Sequence, residues 1–574
     1  MLKTFTQSFL ILATSAVTLG VLSSSVLAST FKLEDATIAD INAAFDAGAL
    51  TSVQLTQLYL NRINAYDKQG PSINSIITLN PKALETAAAL DEGRKTNVFR
   101  SPLYGIPVIL KDNYDTFDLP TTAGSLTLAN STPLDDAFLT KKLRDAGAII
   151  LGKANLHEFS LDFTTISSLG GQTRNPYALD RIPGGSSGGT GASIAANFAT
   201  IGTGSDTAIS IRGPASVNNL VGIRPTLGLT SRDGIVPLLL TQDTGGPIAR
   251  NVTDAAYMLD VLAGYDPNDP ATAKNIGKIP QSYTDSLQED GLKGKRIGVI
   301  RELVEADMGK NVTDPEVKAL VNAAIEDMKK KGAEVFDVEI PNLDYFVRTN
   351  PNADLGYQYR TKFDINDYLA SLGSDIPYKT LTEIINSGQI LPIPSVEGYL
   401  SLYDETTVPF EQSPEYQLYL QNKEELTTTV KSVIQSQKID AFLYPSIVLK
   451  PSLIGAPYPE GYPGNALLSS FTGFPALVVP AGFTSDNLPV GIELLGSEFA
   501  ESTLINIAYS YEQATKHRKL PTTTPPLPGE VFEYNSKSVP EPSYLLGTLA
   551  FGFLGVGCEL KRKLNSNSAT KSLK

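Results

Sequence analysis

A single cysteine, Cys558, stands in a chain of 574 residues, so neither an internal disulfide nor a thiolate metal cluster can form. Histidine is nearly as scarce. A zinc site or a serine–histidine–aspartate triad would have to be built on His157 or His517. His157 sits in Asn155-Leu156-His157-Glu158 with no second histidine nearby, which points to packing and not to a metal ligand. Basic charge is in deficit as well: 47 Lys plus Arg face 61 Asp plus Glu, a net charge of −14. Nucleic-acid partners want basic surfaces, so this balance argues against one. The remaining composition is globular. With 42% hydrophobic and 19% charged residues, 46 Gly and 37 Pro, the chain has ample material for a large core.

Long apolar runs are also lacking, and the two shorter ones lie at the ends. Lys3 precedes a mostly apolar stretch, 9–22, interrupted by Thr14, Ser15 and Thr18, and Ser23-Ser24-Ser25-Val26-Leu27-Ala28 closes it with a small-x-small pattern. Residues 1–28 therefore read as a secretory signal peptide, cut after Ala28 by signal peptidase. At the other end Val539-Pro540-Glu541-Pro542 precedes an apolar run of 15 residues, 544–558, and Lys561-Arg562-Lys563 follows it. That run is short of the roughly 20 residues that cross a bilayer comfortably. The order of parts in 539–574 resembles the PEP-CTERM sorting tail of bacterial exported proteins. The resemblance implies cleavage by an exosortase-type membrane enzyme, export to the periplasm, cell surface or medium, and membrane contact only through the end segments. Residues 521–538, rich in Thr, Pro and Ser, read as the linker to the tail.

Between the ends, helical and strand patterns alternate. Residues 36–67 are helical in period, with Ile38, Ile41, Ala44 and Phe45 on one face and Leu55, Leu58, Leu60 and Ile63 on the next. A buried strand is expected at 105–110, and further strands at 148–151, 296–300, 334–338, 441–444, 475–479 and 490–495. Helices are expected at 137–146, at 501–514 and after Asp314, where Pro315 takes the first helical position. The tyrosine-rich stretch 340–430 reads as helical and irregular, suited to packing or to roofing a substrate funnel. The alternation predicts an α/β sheet with helices on its faces, in one large domain over 29–520.

The most unusual stretch is 183–214. It opens with Gly184-Gly185-Ser186-Ser187-Gly188-Gly189, continues through the small-residue segment 192–199, and reads as making a second turn at Gly202-Thr203-Gly204-Ser205-Asp206 before Ser210 and Arg212. Glycine at this density marks backbone that turns sharply or approaches something closely. A P-loop would need a lysine after the glycine run, and Gly189-Thr190-Gly191 has none; a dinucleotide fingerprint lacks its ribose-binding acid. Lys111 ends the apolar strand 105–110 and precedes Asp112-Asn113. Alone, it reads as a salt-bridged or snorkelling lysine.

Taken together, Gly105-Ile106-Pro107-Val108-Ile109-Leu110-Lys111-Asp112-Asn113, the 184–189 turn and Gly204-Ser205-Asp206-Thr207-Ala208-Ile209-Ser210-Ile211-Arg212-Gly213-Pro214-Ala215 resemble the amidase signature family. The spacings of 75 residues from Lys111 to Ser186 and 24 from Ser186 to Ser210 are typical of it. Further matches at 152–159, 175–177, 222–226, 242–247, 473–475 and 488–491 extend the resemblance over about 36–515. It implies a central mixed β-sheet covered by helices on both faces and hydrolysis of a small-molecule or peptide amide without metal or cofactor. By position it makes Ser210 the nucleophile, Ser186 a relay on a cis peptide bond, and Lys111 the base, with Lys153 structural. Backbone N–H groups of Thr207, Ala208, Ile209 and Ser210 would bind the oxyanion; Ser187, Asp206 and Arg212 would support the turn. Most members carry Gly-Gly where this chain has Ala208-Ile209. Because β-branched Ile209 disfavours positive φ, an altered turn or a narrowed acyl pocket is expected there. Two other readings remain open: a glutaminase-type amidotransferase subunit, and a catalytically weak, surface-anchored binding protein.

Overall fold

Eleven short stretches, most of them rich in Ile, Val, Leu, Ala and Gly, pair into one sheet in a computed structural model that describes residues 27–96, 100–305, 313–373, 376–457 and 465–536. The strands, in chain order, are β1 (Ile76–Leu79), β2 (Pro107–Lys111), β3 (Ile149–Ala154), β4 (Ile201–Asp206), β5 (Val221–Arg224), β6 (Thr244–Ala249), β7 (Arg296–Ile300), β8 (Glu334–Val338), β9 (Ala441–Tyr444), β10 (Ala476–Phe483) and β11 (Pro489–Leu495). Their order across the sheet is β8-β7-β9-β11-β10-β5-β6-β4-β2-β3-β1. The sheet is mixed. β7 runs parallel to β8 and β9, and β2 runs parallel to β3 and β4, whereas β4–β6, β6–β5, β5–β10, β10–β11 and β11–β9 are antiparallel. Helices flank it, as the alternating pattern predicts. The near-continuous apolar strands follow from burial on both faces: every residue of β2, β3, β4, β5 and β6 is buried.

Contacts divide the chain into a body, Phe31–Phe532, and a unit made of its two ends. In the end unit the Thr30 hydroxyl donates to Glu533 at 2.6 Å. Residues 1–26 of the expected signal segment and all of the expected tail, 539–574, lie outside the described residues. Among the described residues no helix is long and apolar enough to cross a membrane.

Helices α1 (Ile38–Asp46) and α2 (Ser52–Tyr66) begin at Thr37 and Thr51, each closing a capping box with the side chain three residues on. The buried face of α2 differs from the expected one. Leu55 and Ile63 are buried, but Tyr59 and Arg62 take the places expected for Leu58 and Leu60. Arg62 is fully buried because it gathers carbonyls: it donates to Ala196 O at 3.0 Å and Thr524 O at 2.7 Å, and pairs with Glu530 at 2.7 Å. Residues 524–530, within the stretch read as a linker, are thereby docked on α2.

The second half of the glycine-rich stretch is not a turn. Residues 202–206 belong to β4, in the middle of the sheet. The glycines there serve close packing: a Cβ on Gly202 would meet Thr190 Cγ2 at 2.6 Å, and one on Gly204 would meet Ile211 Cγ1 at 2.7 Å. A short helix, α3 (Gly188–Ala195), precedes β4, and another, α4 (Arg212–Val217), follows it.

The tyrosine-rich region forms a helical layer over one end of this arrangement. Helices α5 (Leu355–Ser371), α6 (Tyr399–Asp404) and α7 (Pro414–Gln437) contribute to it. Its apolar residues, including Ile365, Leu369, Leu381, Ile384 and Leu400, share one cluster with Leu128, Phe159, Val236 and Leu238 of the body beneath.

Candidate active site

The strand order brings Lys111 and the two serines together. β2 ends in Lys111, and its neighbour β4 leads into the loop carrying Ser210. Ser186 precedes α3, and the Gly185–Ser186 peptide bond is cis. Lys111, Ser186 and Ser187 are wholly buried; Ser210 is 8% exposed. Lys111 Nζ lies 2.7 Å from Ser186 Oγ, 2.8 Å from Ser205 Oγ and 3.3 Å from Ser205 O. Its partners are thus hydroxyls and a carbonyl, with no carboxylate in contact. Burial pulls its pKa down to about 7, against the more distant pull of Asp206 and Asp243. A lysine in this state can accept a proton near neutral pH.

Ser210 Oγ has no hydrogen-bond partner among the described residues and faces a cavity of about 330 Å³. No direct hydrogen bond joins the hydroxyls of Ser186 and Ser210. The two turns are tied instead through backbone, with Ser187 N–H donating to Ser210 O at 3.3 Å. Ser187 Oγ also donates to Ser205 O at 3.2 Å. The backbone N–H groups of Thr207, Ala208, Ile209 and Ser210 find no acceptor among the described residues, and all four residues line the same cavity. Neither Ala208 nor Ile209 takes a positive φ. The turn therefore accommodates a β-branched residue, and Ile209 buries its side chain among Phe163, Ile182, Val217 and Ile447.

A buried ionic network fixes this loop. Asp206 accepts from Ile211 N–H at 3.0 Å, Arg212 Nε at 3.2 Å and Arg224 Nη1 at 2.9 Å. Burial alone would raise its pKa, but the two guanidinium groups outweigh it and hold the carboxyl at about 2. Arg212 extends the network to Glu493 at 2.7 Å, to Ala466 O at 3.0 Å and to Ala208 O. The carbonyl side of the Ala208 peptide is thus clamped, which leaves the neighbouring N–H groups facing the cavity.

His157 stays outside this hydroxyl cluster. Its ring meets Thr164 Oγ1 at 2.9 Å, burial followed by the Lys111 charge lowers its pKa to about 3, and only its backbone N–H reaches Ser186 O, at 3.0 Å. Lys153 pairs with Asp112 at 3.2 Å. Among the described residues no group of His, Cys, Asp and Glu could hold a metal ion.

Four contributors were not legible as such. Ser205 was visible only as part of a glycine-rich stretch, yet it shares Lys111 and receives a bond from Asn113 Nδ2 at 2.9 Å. Asp243 binds Thr207 Oγ1 at 2.5 Å and the N–H groups of Leu238 and Leu239, each at 2.9 Å, anchoring the start of the Ser210 loop. Asp162 and Asp354 line the cavity with Tyr357, Tyr399 and Tyr403. The sequence signal for Ser205 and Asp243 was their place in the two matched motifs; the cavity acids carried none.

Known proteins are similar to this chain in sequence and fold. The family model Amidase matches residues 54–505. A probable amidase of Arabidopsis thaliana is 36% identical over 512 residues, covering 86% of this chain and 93% of that protein. A glutamyl-tRNA(Gln) amidotransferase subunit of Alkalilimnicola ehrlichii is 32% identical over 517 residues, covering 85% and 99%. The crystal structure of the peptide amidase from Stenotrophomonas maltophilia superposes with a TM-score of 0.75 at 36% identity, covering 86% of this chain and 99% of that one.

Proposed function

The chain belongs to the amidase family, and on that premise we propose that it hydrolyses a carboxamide through an acyl-enzyme on Ser210. The observation that carries this reading is the fully buried Lys111, its pKa near neutrality, 2.7 Å from Ser186 Oγ and free of any carboxylate contact. Neutral Lys111 draws the proton from Ser186, which draws it from Ser210 as Oγ attacks the carbonyl carbon. For that step the Ser210 side chain turns towards Ser186 as substrate binds; catalytic hydrogen bonds are often unmade in the free enzyme. The oxyanion forms against the free N–H groups of Thr207 to Ser210, whose direction is preset by Arg212 and Asp206. Collapse of the tetrahedral intermediate breaks the C–N bond. The proton held by Lys111 returns through Ser186 to the leaving nitrogen, and water then releases the acid by the same route in reverse.

The test is ammonia or amine release from a panel of small amides and C-terminally amidated peptides. Wild-type turnover is expected to fall by about 10⁴-fold or more in Ser210→Ala, as for loss of other serine nucleophiles. Turnover unchanged by that substitution overturns the mechanism. A fluorophosphonate probe should label the wild type at Ser210, and absence of labelling would favour a binding protein without catalysis.

A second reading, an amidotransferase subunit, has the likeness to the Alkalilimnicola protein in its favour. Export is the reading that separates the two, and its support is the sequence of the ends alone. Cell fractionation with mass spectrometry of both mature termini tests it: an intact, cytosolic chain purifying with partner proteins would favour the second reading.

A further inference from the structure

We infer that the cavity beside Ser210 selects amides that carry a positive charge, seated between Asp162, Asp354 and a row of three tyrosines. The inference rests on the reading of Ser210 as nucleophile and names the substrate class of that site.

The cavity, about 330 Å³, is of a size to enclose a small ligand. Its walls hold two carboxylates and no lysine, arginine or histidine. Asp162 is half-buried, and one of its oxygens accepts from Phe163 N–H at 2.7 Å. Burial raises its pKa to about 6, so it is ionised at neutral pH. Asp354 is exposed at the N-terminal end of α5, where it caps nothing. Neither acid takes part in an ion pair among the described residues. Some buried acids of the body do have a cation: Asp206 has Arg212 and Arg224, Glu493 has Arg212, and Asp112 has Lys153; Asp115, Glu158, Asp254 and Glu501 have none among the described residues. The two cavity acids, neither of them paired with a cation, share their wall with Ser210.

The tyrosines add a second, independent feature. The rings of Tyr357 and Tyr403 are 6.5 Å apart at 20°, and those of Tyr399 and Tyr403 are 6.3 Å apart at 10°. This near-parallel row is a surface on which an ammonium or guanidinium group can lie. Both carboxylates line the same cavity as these rings, and burial followed by the charges of both acids pushes the Tyr399 phenol up. Ser210, more than nine-tenths buried and with an unpartnered Oγ, opens into this same space. The carboxylates and the hydroxyl that would attack thus line one cavity.

The experiment compares N-acetyl-arginine amide with N-acetyl-citrulline amide, which differ in charge but hardly in shape. Wild-type kcat/KM is expected to favour the arginine amide by about tenfold, the sum of modest ion-pair and cation–π contributions. The preference should shrink in high salt. In Asp162→Asn/Asp354→Asn the ratio of the two kcat/KM values should fall to about one. Equal kcat/KM values in the wild type, or a ratio that the double substitution leaves in place, overturn the inference. Ser210→Ala protein separates it from the mechanism. If the wild type cleaves neither amide, the nucleophile reading fails, and calorimetry on the Ser210→Ala protein still decides: tighter binding of the arginine amide upholds the cation site, and equal binding overturns it.

Discussion

Two lysines lie fully buried on neighbouring strands, Lys111 at the end of β2 and Lys153 in β3. Their register is close: Lys111 pairs with Ala154, the next residue after Lys153. Their surroundings differ in kind. Lys153 donates to Thr121 Oγ1 at 2.9 Å and Pro120 O at 3.0 Å, and Asp112 lies at 3.2 Å. Burial lowers its pKa, while Asp112 and then Asp115 pull it back up. Lys111 has Ser186 and Ser205, and no acid in contact. Burial discourages charge on both, but only Lys153 is given a counter-ion. Buried lysine is therefore not in itself a sign of chemistry; burial without a counter-charge, next to a hydroxyl that leads to a cavity, is the informative combination.

The comparison breaks most sharply under substitution of each lysine by methionine. Lys111→Met should lower kcat by about 10²- to 10⁴-fold, the usual worth of a general base, while the melting temperature holds or rises because an unpaired buried amine is removed. Lys153→Met should do the reverse. It strands Asp112 in the core at a cost of about 3–5 kcal/mol, measured by denaturant unfolding, with kcat of the folded fraction close to wild type. Adding Asp112→Asn to Lys153→Met should recover part of that loss.

A pH profile sharpens the same contrast. Protonated Lys111 has no lone pair, so kcat should fall about tenfold per pH unit below its pKa of about 7, and Lys111→Met should abolish that limb. Stability carries the linked signal. The folded pKa lies below the unfolded value of about 10.4, so the unfolded chain binds more protons between the two values. Lys111 therefore destabilises the fold fully below about pH 7, and the penalty is lifted as pH rises from about 7 towards the unfolded pKa. The difference in unfolding free energy between wild type and Lys111→Met should narrow across that window.

The smallest effect is expected at Ser205. Ser205→Ala removes one of two hydroxyls on Lys111 and the acceptor of Asn113, a loss of about 1 kcal/mol, so kcat should fall about fivefold with the Lys111 pH limb shifted. An unmoved limb would mean that Ser205 only packs.

Much of this was legible in the chain itself. The strands at 296–300 and 441–444 sit where apolar runs place them, because a strand buried on both faces must be apolar throughout; 334–338 is also a strand, but a partly exposed one at the sheet edge. The helix after Asp314 starts at Pro315, since proline lacks only an N–H that the first turn would leave unpaired anyway. Residues 202–206 misled because glycine marks both turns and crowded strands; the neighbours that crowd β4, Thr190 and Ile211, are known only once the sheet is assembled. For the same reason Lys111 could be read as a salt-bridged lysine, although Asp112, next to it in sequence, pairs across the sheet with Lys153.

Sequence by itself determined the alternating α/β plan, the order of the motifs and the residue types available for chemistry, because periodicity, caps and glycine demands are local. Tertiary structure alone decided which lysine is left without a counter-ion, which N–H groups are left free, and which acids face the cavity with Ser210. Those properties depend on the distance and dielectric between residues far apart in the chain, such as Ser210 and Asp354, and no local pattern encodes them.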